Sequence, residues 1–363
     1  MDILLVKLSS LGDVIQTMPV VQDLLRQVPG ANIDWVVEEA FAPLVQRVEG
    51  LRQVIPMAER RWRKTRFEAA TRMERKNFLQ QLQSRPYDVV IDFQGLIKSA
   101  LVARQAKLKP GGFSASYANK SEACGYEWPV RFMVNKPVPM ARRVHAVARY
   151  RALAAGALGY VVAGLPVYRW VVAPDSVKPG DQHGQNPTIV FAHGTTRPDN
   201  EWPQADWIAL GQKFTAQGYQ VALPQANDAE QLLCNHVAEA LGPACSIWPR
   251  MPLAPLMDAM ASCRGVVGVD SGLSHMAVGL NLPHVQIFSQ DRAWRAGPVG
   301  QAHQLAVGGA QAPGMDAVWQ AWQSVEPPSG QQPPSEPKAP AAVSGPALQP
   351  TMEPSSKQAA SNA

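Results

Sequence analysis

Short apolar runs alternate along this chain with longer stretches in which apolar side chains return every three or four positions. Ile3-Leu4-Leu5-Val6 is the first run, and behind it Val14, Met18, Val21, Leu24 and Leu25 recur at helical spacing. A solid apolar run bounded by turn residues reads as a buried strand, and the following period reads as an amphipathic helix. The pattern predicts strands at 3–8, 32–37, 53–57 and 87–93, with helices from about Asp13, from about Phe41 and near Ile97. The second half repeats the scheme, with strands at 188–192, 220–223, 246–248, 265–269 and 285–288. Strand and helix in alternation imply parallel sheets covered by helices on both faces. The fold class is therefore α/β, with two Rossmann-like halves, 1–165 and 182–326, joined near 159–181 and facing each other across a cleft.

In such sheets ligands gather beyond the carboxyl ends of the strands, so the turns there carry the candidate chemistry. Two stand out. Asp270-Ser271-Gly272-Leu273-Ser274-His275 follows the run 265–269 and opens a helix rich in small residues. Its free backbone N–H groups and the helix dipole suit a phosphate or diphosphate, although an ordinary turn capped by Asp270 or Ser271 would read the same way. Lys7-Leu8-Ser9-Ser10-Leu11-Gly12-Asp13 follows the first strand. It has neither the G-x-G-x-x-G of dinucleotide sites nor the G-x-x-x-x-G-K-[ST] of nucleoside triphosphate sites. Asp13 is open to two readings there, a helix cap or a general base at the cleft.

Composition narrows the class. The chain has 363 residues, enough for two cores, and 46% of them are hydrophobic. From 327 to 363 it turns rich in Pro, Ser, Ala and Gln without apolar period, which predicts a disordered tail. Cys124, Cys234, Cys245 and Cys263 are scattered, with no zinc or redox spacing, and the histidines show no metal-ligand pattern. No signal-peptide pattern opens the chain, and the uncharged stretch 152–168 is broken by glycines and Pro166 before it could span a membrane. A cytoplasmic protein is expected.

The net charge of +5 is concentrated. Arg60, Arg61, Arg63, Lys64, Arg66, Arg72, Arg75 and Lys76 crowd one segment, in which Arg60, Arg63 and Lys64 share a face if it is helical. Such a run is either a solvated face or a patch for carboxylates and phosphates. With no helix-turn-helix, RNP or zinc-finger pattern beside it, a small anion or lipid head group is favoured over nucleic acid.

Six segments together resemble one family: 7–13, Trp35-Val36-Val37-Glu38-Glu39, Arg60-Arg61-Trp62-Arg63-Lys64, Asp92-Phe93-Gln94-Gly95-Leu96-Ile97-Lys98-Ser99, Thr195-Thr196-Arg197 with Trp202-Pro203, and 270–275. In order from residue 1 to about 300, they are similar to the lipopolysaccharide heptosyltransferases of glycosyltransferase family 9, type I in particular. The resemblance implies a GT-B fold, ADP-L-glycero-D-manno-heptose as donor, and the Kdo residue of Kdo-lipid A as acceptor, met at the cytoplasmic face of the inner membrane. It implies inverting transfer without metal or other cofactor. Type II, with a heptose acceptor, is the nearest alternative, and a non-catalytic nucleotide-binding protein is the alternative from another class.

By the same resemblance Asp13 is the catalytic base, and Ser10, Gly12, Arg60, Arg63, Lys64, Gln94 and Lys98 belong to the acceptor side. Thr195, Thr196, Arg197, Asn200, Glu230 and the turn Asp270, Ser271, Gly272, Leu273, Ser274 and His275 belong to the donor side, with Glu230 at the ribose hydroxyls. Two departures stand against it. Asn200 occupies a place where many members carry lysine, so Arg292, Arg295 or Arg197 is expected to supply that charge. Within 111–131 the match is poor, and Lys120 and Arg131 are both candidates for a further acceptor contact.

Overall fold

Every apolar run ends up as a parallel strand flanked by others. The computed structural model describes residues 1–172 and 187–325. Its N-terminal sheet holds β1 (Asp2–Val6), β2 (Asn32–Glu38), β3 (Leu51–Met57), β4 (Tyr87–Asp92), β5 (Leu108–Tyr117) and β6 (Lys136–Val138), in the order β3-β2-β1-β4-β5-β6. Its C-terminal sheet holds β7 (Thr188–Ala192), β8 (Gln220–Leu223), β9 (Cys245–Ile247), β10 (Gly265–Val269), β11 (His284–Phe288) and β12 (Gln304–Gly308), in the order β12-β11-β10-β7-β8-β9. Each half thus has the 3-2-1-4-5-6 strand order, whose crevice opens between its first and fourth strands. β1 and β4 place the loops of Asp13 and Asp92 at one crevice, and β7 and β10 place those of Thr195 and Asp270 at the other.

Burial explains why the central strands read so clearly. Leu5 on β1 lies level with Trp35 on β2 and Ile91 on β4, all without solvent contact. Helices Pro19–Gln27 and Ala146–Leu158 cover this face, tied together by the buried Asp23–Arg151 pair at 2.6 Å. The same apolar cluster runs on into Met257, Met260 and Met276, so the two halves share packed surface. A second cluster, with Phe191, Trp207, Phe214 and Trp322, fills the outer C-terminal half.

Three strands lack a sequence signal. β5 opens on Lys109-Pro110-Gly111-Gly112 and shifts register against β4, β6 has only three residues, and β12 is half-exposed, so none carries a clean apolar run. β9 lies one residue earlier than its apolar pattern suggests. The basic segment forms a single helical turn, Glu59–Trp62, separated from helix Ala69–Leu82 by turns at 63–68. Thr65 closes that break by donating from its hydroxyl to the Arg61 carbonyl and meeting Thr71 Oγ1 at 2.7 Å. The tail expected at 327–363 and the part of the inter-domain junction from 173 to 181 lie outside the described residues. No helix of the described residues is long and apolar enough to cross a membrane.

Candidate active site

Ser10 is the N-cap of helix Leu11–Thr17, which puts Asp13 at the third helical position rather than at the cap. Asp13 Oδ2 accepts from Ser10 Oγ at 3.0 Å and from the Ser10 N–H at 3.4 Å. Its other oxygen accepts from Tyr150 Oη at 2.8 Å and faces Arg295 Nη2 at 3.4 Å. Asp13 is thus not the helix cap, as one reading of the sequence had it: one of its oxygens completes a capping box with Ser10, and the other faces Tyr150 and Arg295. Gln94 sets the approach to this turn, its Oε1 accepting from the N–H groups of Leu8 and Ser9 at 3.2 Å each.

Burial alone would raise the Asp13 carboxyl, but the Lys7 and Arg295 cations and the hydrogen bonds from Tyr150 and Ser10 outweigh it. The group is held well below the usual carboxylate range and is ionised. Lys7 is itself buried, with its Nζ 4.8 Å from the Tyr150 ring centre. Desolvation brings its ammonium down to about 8, against the pull of Asp13. Arg149 lies over the Tyr117 and Tyr150 rings at 4.6 and 5.1 Å. Beside them Asp92 has no solvent contact, and burial pushes it up to about 6, although the N–H groups of Gln94 and Gly95 donate to it. Lys7, Arg149 and Arg295 make this pocket one that favours anions.

The opposite wall is the turn after β10. Ser271 caps helix Gly272–Gly279 by accepting from the Ser274 N–H at 3.5 Å, and Ser274 Oγ donates to the Val269 carbonyl at 2.6 Å. Asp270 accepts from Gln286 Nε2 at 3.3 Å and lies 3.4 Å from His275 Nε2. Burial would raise Asp270, yet His275, Arg292 and Arg295 hold it below its ordinary value. Gln16 Nε2 stands 3.5 Å from His275 Nδ1, so the network places the ring proton on Nε2, toward Asp270. Asn200 is buried and donates from Nδ2 to the Asp270 carbonyl at 3.3 Å.

The two walls touch at their glycines. A Cβ on Gly12 would meet His275 Cδ2 at 2.5 Å, and one on Gly272 would meet Leu11 Cδ2 at 2.5 Å. The starts of helices Leu11–Thr17 and Gly272–Gly279 thus abut across the cleft, each made possible by a missing side chain. Leu273 packs partly buried against the shared core, behind this contact.

The remaining candidates spread outward. Glu230 has both oxygens engaged near its helix start, accepting from Ala226 N–H at 2.7 Å and Asn227 Nδ2 at 2.9 Å, and it lies against Gly194 beside Thr195. Thr196 and Arg197 are exposed, and Arg197 forks onto Asp199 at 3.2 and 3.0 Å. Arg292 and Arg295 both have a buried Nε without a hydrogen-bond partner. Arg60, Arg63 and Lys64, expected to meet the acceptor, are exposed; Arg60 lies over the Phe41 ring, whereas Arg61 is bound to Glu39 and Glu74. Lys98 is also exposed, at the first turn of helix Ile97–Gln105. Sequence reading assigned no role to Lys7, Tyr150, Arg149 or Asp92. A lysine at the end of an apolar strand was the available signal for the first; Tyr150 and Arg149 lie in a helix whose pattern gives no hint of a site.

Two Rossmann-like sheets with an ionised carboxylate on one wall and a capped helix start on the other define a two-substrate group-transfer enzyme. Residues 75–316 match the family model described as glycosyltransferase family 9 (heptosyltransferase). The chain is 36% identical over 303 residues to lipopolysaccharide heptosyltransferase 1 of Pseudomonas aeruginosa, covering 83% of this chain and 82% of that protein. It is 34% identical over 293 residues to lipopolysaccharide heptosyltransferase 1 of Escherichia coli K12, covering 79% and 88%. The solved E. coli heptosyltransferase WaaC with ADP-2-deoxy-2-fluoro heptose superposes with a TM-score of 0.72 at 32% identity, covering 88% of this chain and 98% of that one. The chain belongs to glycosyltransferase family 9, and it is a glycosyltransferase of the heptosyl-transferring kind.

Proposed function

We propose that this enzyme moves L-glycero-D-manno-heptose from ADP-heptose to the Kdo residue of Kdo-lipid A, with inversion, at the cytoplasmic face of the inner membrane. The observation that carries the reading is the placement of the ionised Asp13 oxygen in the cleft, opposite the start of helix Gly272–Gly279. Its support in the relatives is that they are named lipopolysaccharide heptosyltransferase 1, and that WaaC was solved with an ADP-heptose analogue.

In this reading the acceptor hydroxyl gives its proton to Asp13 while its oxygen attacks the anomeric carbon of the heptose. The bond from that carbon to the diphosphate oxygen breaks, and ADP leaves with the electron pair. The N–H groups of Gly272 and Leu273 and the cations of the cleft meet the charge that develops on the diphosphate. A carboxylate held so far below its ordinary value is a weak base, and Arg295 is one reason for it. When a diphosphate draws Arg295 away, Asp13 loses a neighbouring cation and becomes more basic as the donor arrives. Arg60, Arg63 and Lys64 offer exposed cations to Kdo carboxylate and lipid A phosphates. The scheme requires no cofactor beyond the donor.

The test is to incubate the purified chain with ADP-heptose and Kdo-lipid A and to follow the acceptor by mass spectrometry. A gain of one heptose, reduced about 10²-fold or more in Asp13→Asn with donor binding retained, is the expected result. Undiminished transfer by Asp13→Asn would remove Asp13 as the base, and no transfer to this acceptor would remove the acceptor assignment.

A further inference from the structure

The acceptor side of the N-terminal sheet also carries large apolar side chains that nothing in the fold covers. Trp128 and Phe132, at the two ends of the turn Trp128–Phe132, are 69% and 70% exposed, and their rings meet edge to face at 6.1 Å. Between them Val130 is fully buried, so the turn is anchored while its aromatics project. Helix Ile97–Gln105 lies alongside, joined to this turn by the bond from the Ile97 N–H to Glu127 Oε2 at 2.6 Å. It adds Ile97 and Leu101, 39% and 49% exposed and one helical turn apart. Four large apolar side chains exposed on two neighbouring elements mark a surface suited to being covered in use.

What covers it is indicated by the charges around it. Lys98, Arg104 and Arg131 are exposed in these same two elements, and among the described residues none of them forms an ion pair. Arg131 lies over the Phe132 ring at 5.0 Å. The exposed carboxylate of Glu127 accepts from the Ile97 N–H between the two elements, one acidic group against these three cations. Aromatic and branched apolar side chains ringed by unpaired cations match the boundary of an anionic bilayer, where rings enter the head-group layer and cations meet phosphates. The pairing recurs beyond β3, where Phe67 is 76% exposed beneath Arg66 at 4.5 Å. Both sites lie in segments that follow the carboxyl ends of strands in one sheet, the edge that also carries the Asp13 turn.

We propose that Trp128, Phe132, Ile97 and Leu101, with Lys98, Arg104 and Arg131, form a docking surface for an anionic lipid bilayer that seats the cleft at the membrane. The inference deepens the lipid-acceptor reading and rests on it only for its purpose, because bilayer binding is read here without any acceptor present.

The experiment is co-sedimentation of the full chain with vesicles of phosphatidylglycerol and phosphatidylcholine, and with vesicles of phosphatidylcholine alone. The parent protein should bind the anionic vesicles at least about tenfold more tightly than the neutral ones, with binding weakened by salt. Trp128→Ala with Phe132→Ala, or Trp128→Gln alone, should lose binding to the anionic vesicles, by at least about tenfold for the double variant. The double variant should keep its melting temperature and its kcat on a de-acylated, water-soluble acceptor. The proposal is overturned if the parent ignores anionic vesicles, or if the double variant binds them as the parent does. It is equally overturned if sedimentation velocity shows that the patch joins two copies of the chain. Loss of activity on the soluble acceptor by the parent itself would instead strike the acceptor assignment, leaving the vesicle result to stand alone.

Discussion

Arg295, carried by the loop and short helix after β11, reaches across the cleft to within 3.4 Å of Asp13 in the helix after β1. Arg295 is mostly buried, and Asp13 raises its guanidinium above the ordinary value against the cost of burial. The pair therefore joins the two walls and at the same time sets the protonation of the candidate base.

Removing that cation should make Asp13 easier to protonate. With Arg295→Met the acid limb of kcat/KM, which reports the free enzyme, is expected to move upward toward the ordinary 3.8 of an aspartate. Arg295→Lys should move it less. The linkage runs the same way. Because the folded carboxyl lies below its unfolded value, its contribution to stability is present above the unfolded value and lost as pH falls through the folded one. Arg295→Met should thus unfold at a higher pH on acidification. A pH–rate profile with an unmoved acid limb would show that Arg295 does not tune the base.

The glycine contacts give a second test. Gly12→Ala would drive a methyl into the His275 ring, which is held by Asp270 and Gln16 and has little room to yield. Gly272→Ala meets the Leu11 side chain at Cδ2, Cγ and Cβ, 2.5, 2.8 and 3.1 Å away, and that side chain has no hydrogen bonds to hold it and can yield in part. Gly12→Ala should therefore lower kcat about tenfold or more and wedge the halves apart, visible as a larger radius of gyration by small-angle scattering. Gly272→Ala should cost clearly less on both readouts. Equal, small effects would mean that the walls separate during turnover without regard to this contact.

The contrast between these glycines and the strands shows what a sequence can reveal. Ile3 to Val6 and Gly265 to Val269 were legible because strands buried on both faces must be apolar throughout. The turns after them were legible because polar and small residues there interrupt an otherwise apolar pattern. Tyr150 was not, since a tyrosine in an amphipathic helix looks like core, and only the fold brings its hydroxyl to Asp13, 137 positions away. Arg295 was a candidate for the donor-side charge, but its contact with Asp13 was hidden, because Asp13 lies in the other half of the chain. β5 stayed hidden because its glycines and Pro110 serve a register shift rather than a pattern.

At the acceptor side, exposure decides the size of the effect. Arg63 and Lys64 form no ion pair among the described residues, and Arg60 donates its backbone N–H to Glu38 at 3.1 Å while its exposed side chain lies over the Phe41 ring. Neutralising any one of the three should raise the acceptor KM about two- to fivefold, the range for a solvent-screened contact, and the triple variant should raise it far more. Arg61→Ala should leave that KM nearly unchanged, because its guanidinium is already satisfied by Glu39 and Glu74. A rise in the donor KM instead would mean that the walls have been assigned the wrong way round.

The last test concerns charge at the leaving group. Asn200 meets the Asp270 carbonyl through its amide but brings no charge to the donor wall. Three arginines surround that wall, and their partners differ. Arg197 pairs with Asp199, and Arg295 pairs with Asp13 although its buried Nε lacks a hydrogen-bond partner. Arg292 forms no ion pair among the described residues, and its buried Nε has no hydrogen-bond partner. Burial and the neighbouring Arg197 and Arg295 charges lower its guanidinium, with Asp270 and Asp199 only partly offsetting them. A cation so disfavoured by its surroundings gains most from an entering diphosphate, and more still as negative charge grows on the departing ADP. Arg292→Ala should accordingly lower kcat about tenfold or more, with a smaller change in donor affinity, and Asn200→Lys should restore part of that loss. Steady-state kinetics on both substrates, with the two substitutions separately and together, checks this. Unchanged kcat in Arg292→Ala would leave the backbone N–H groups of Gly272 and Leu273 and Arg295 to carry the leaving group alone.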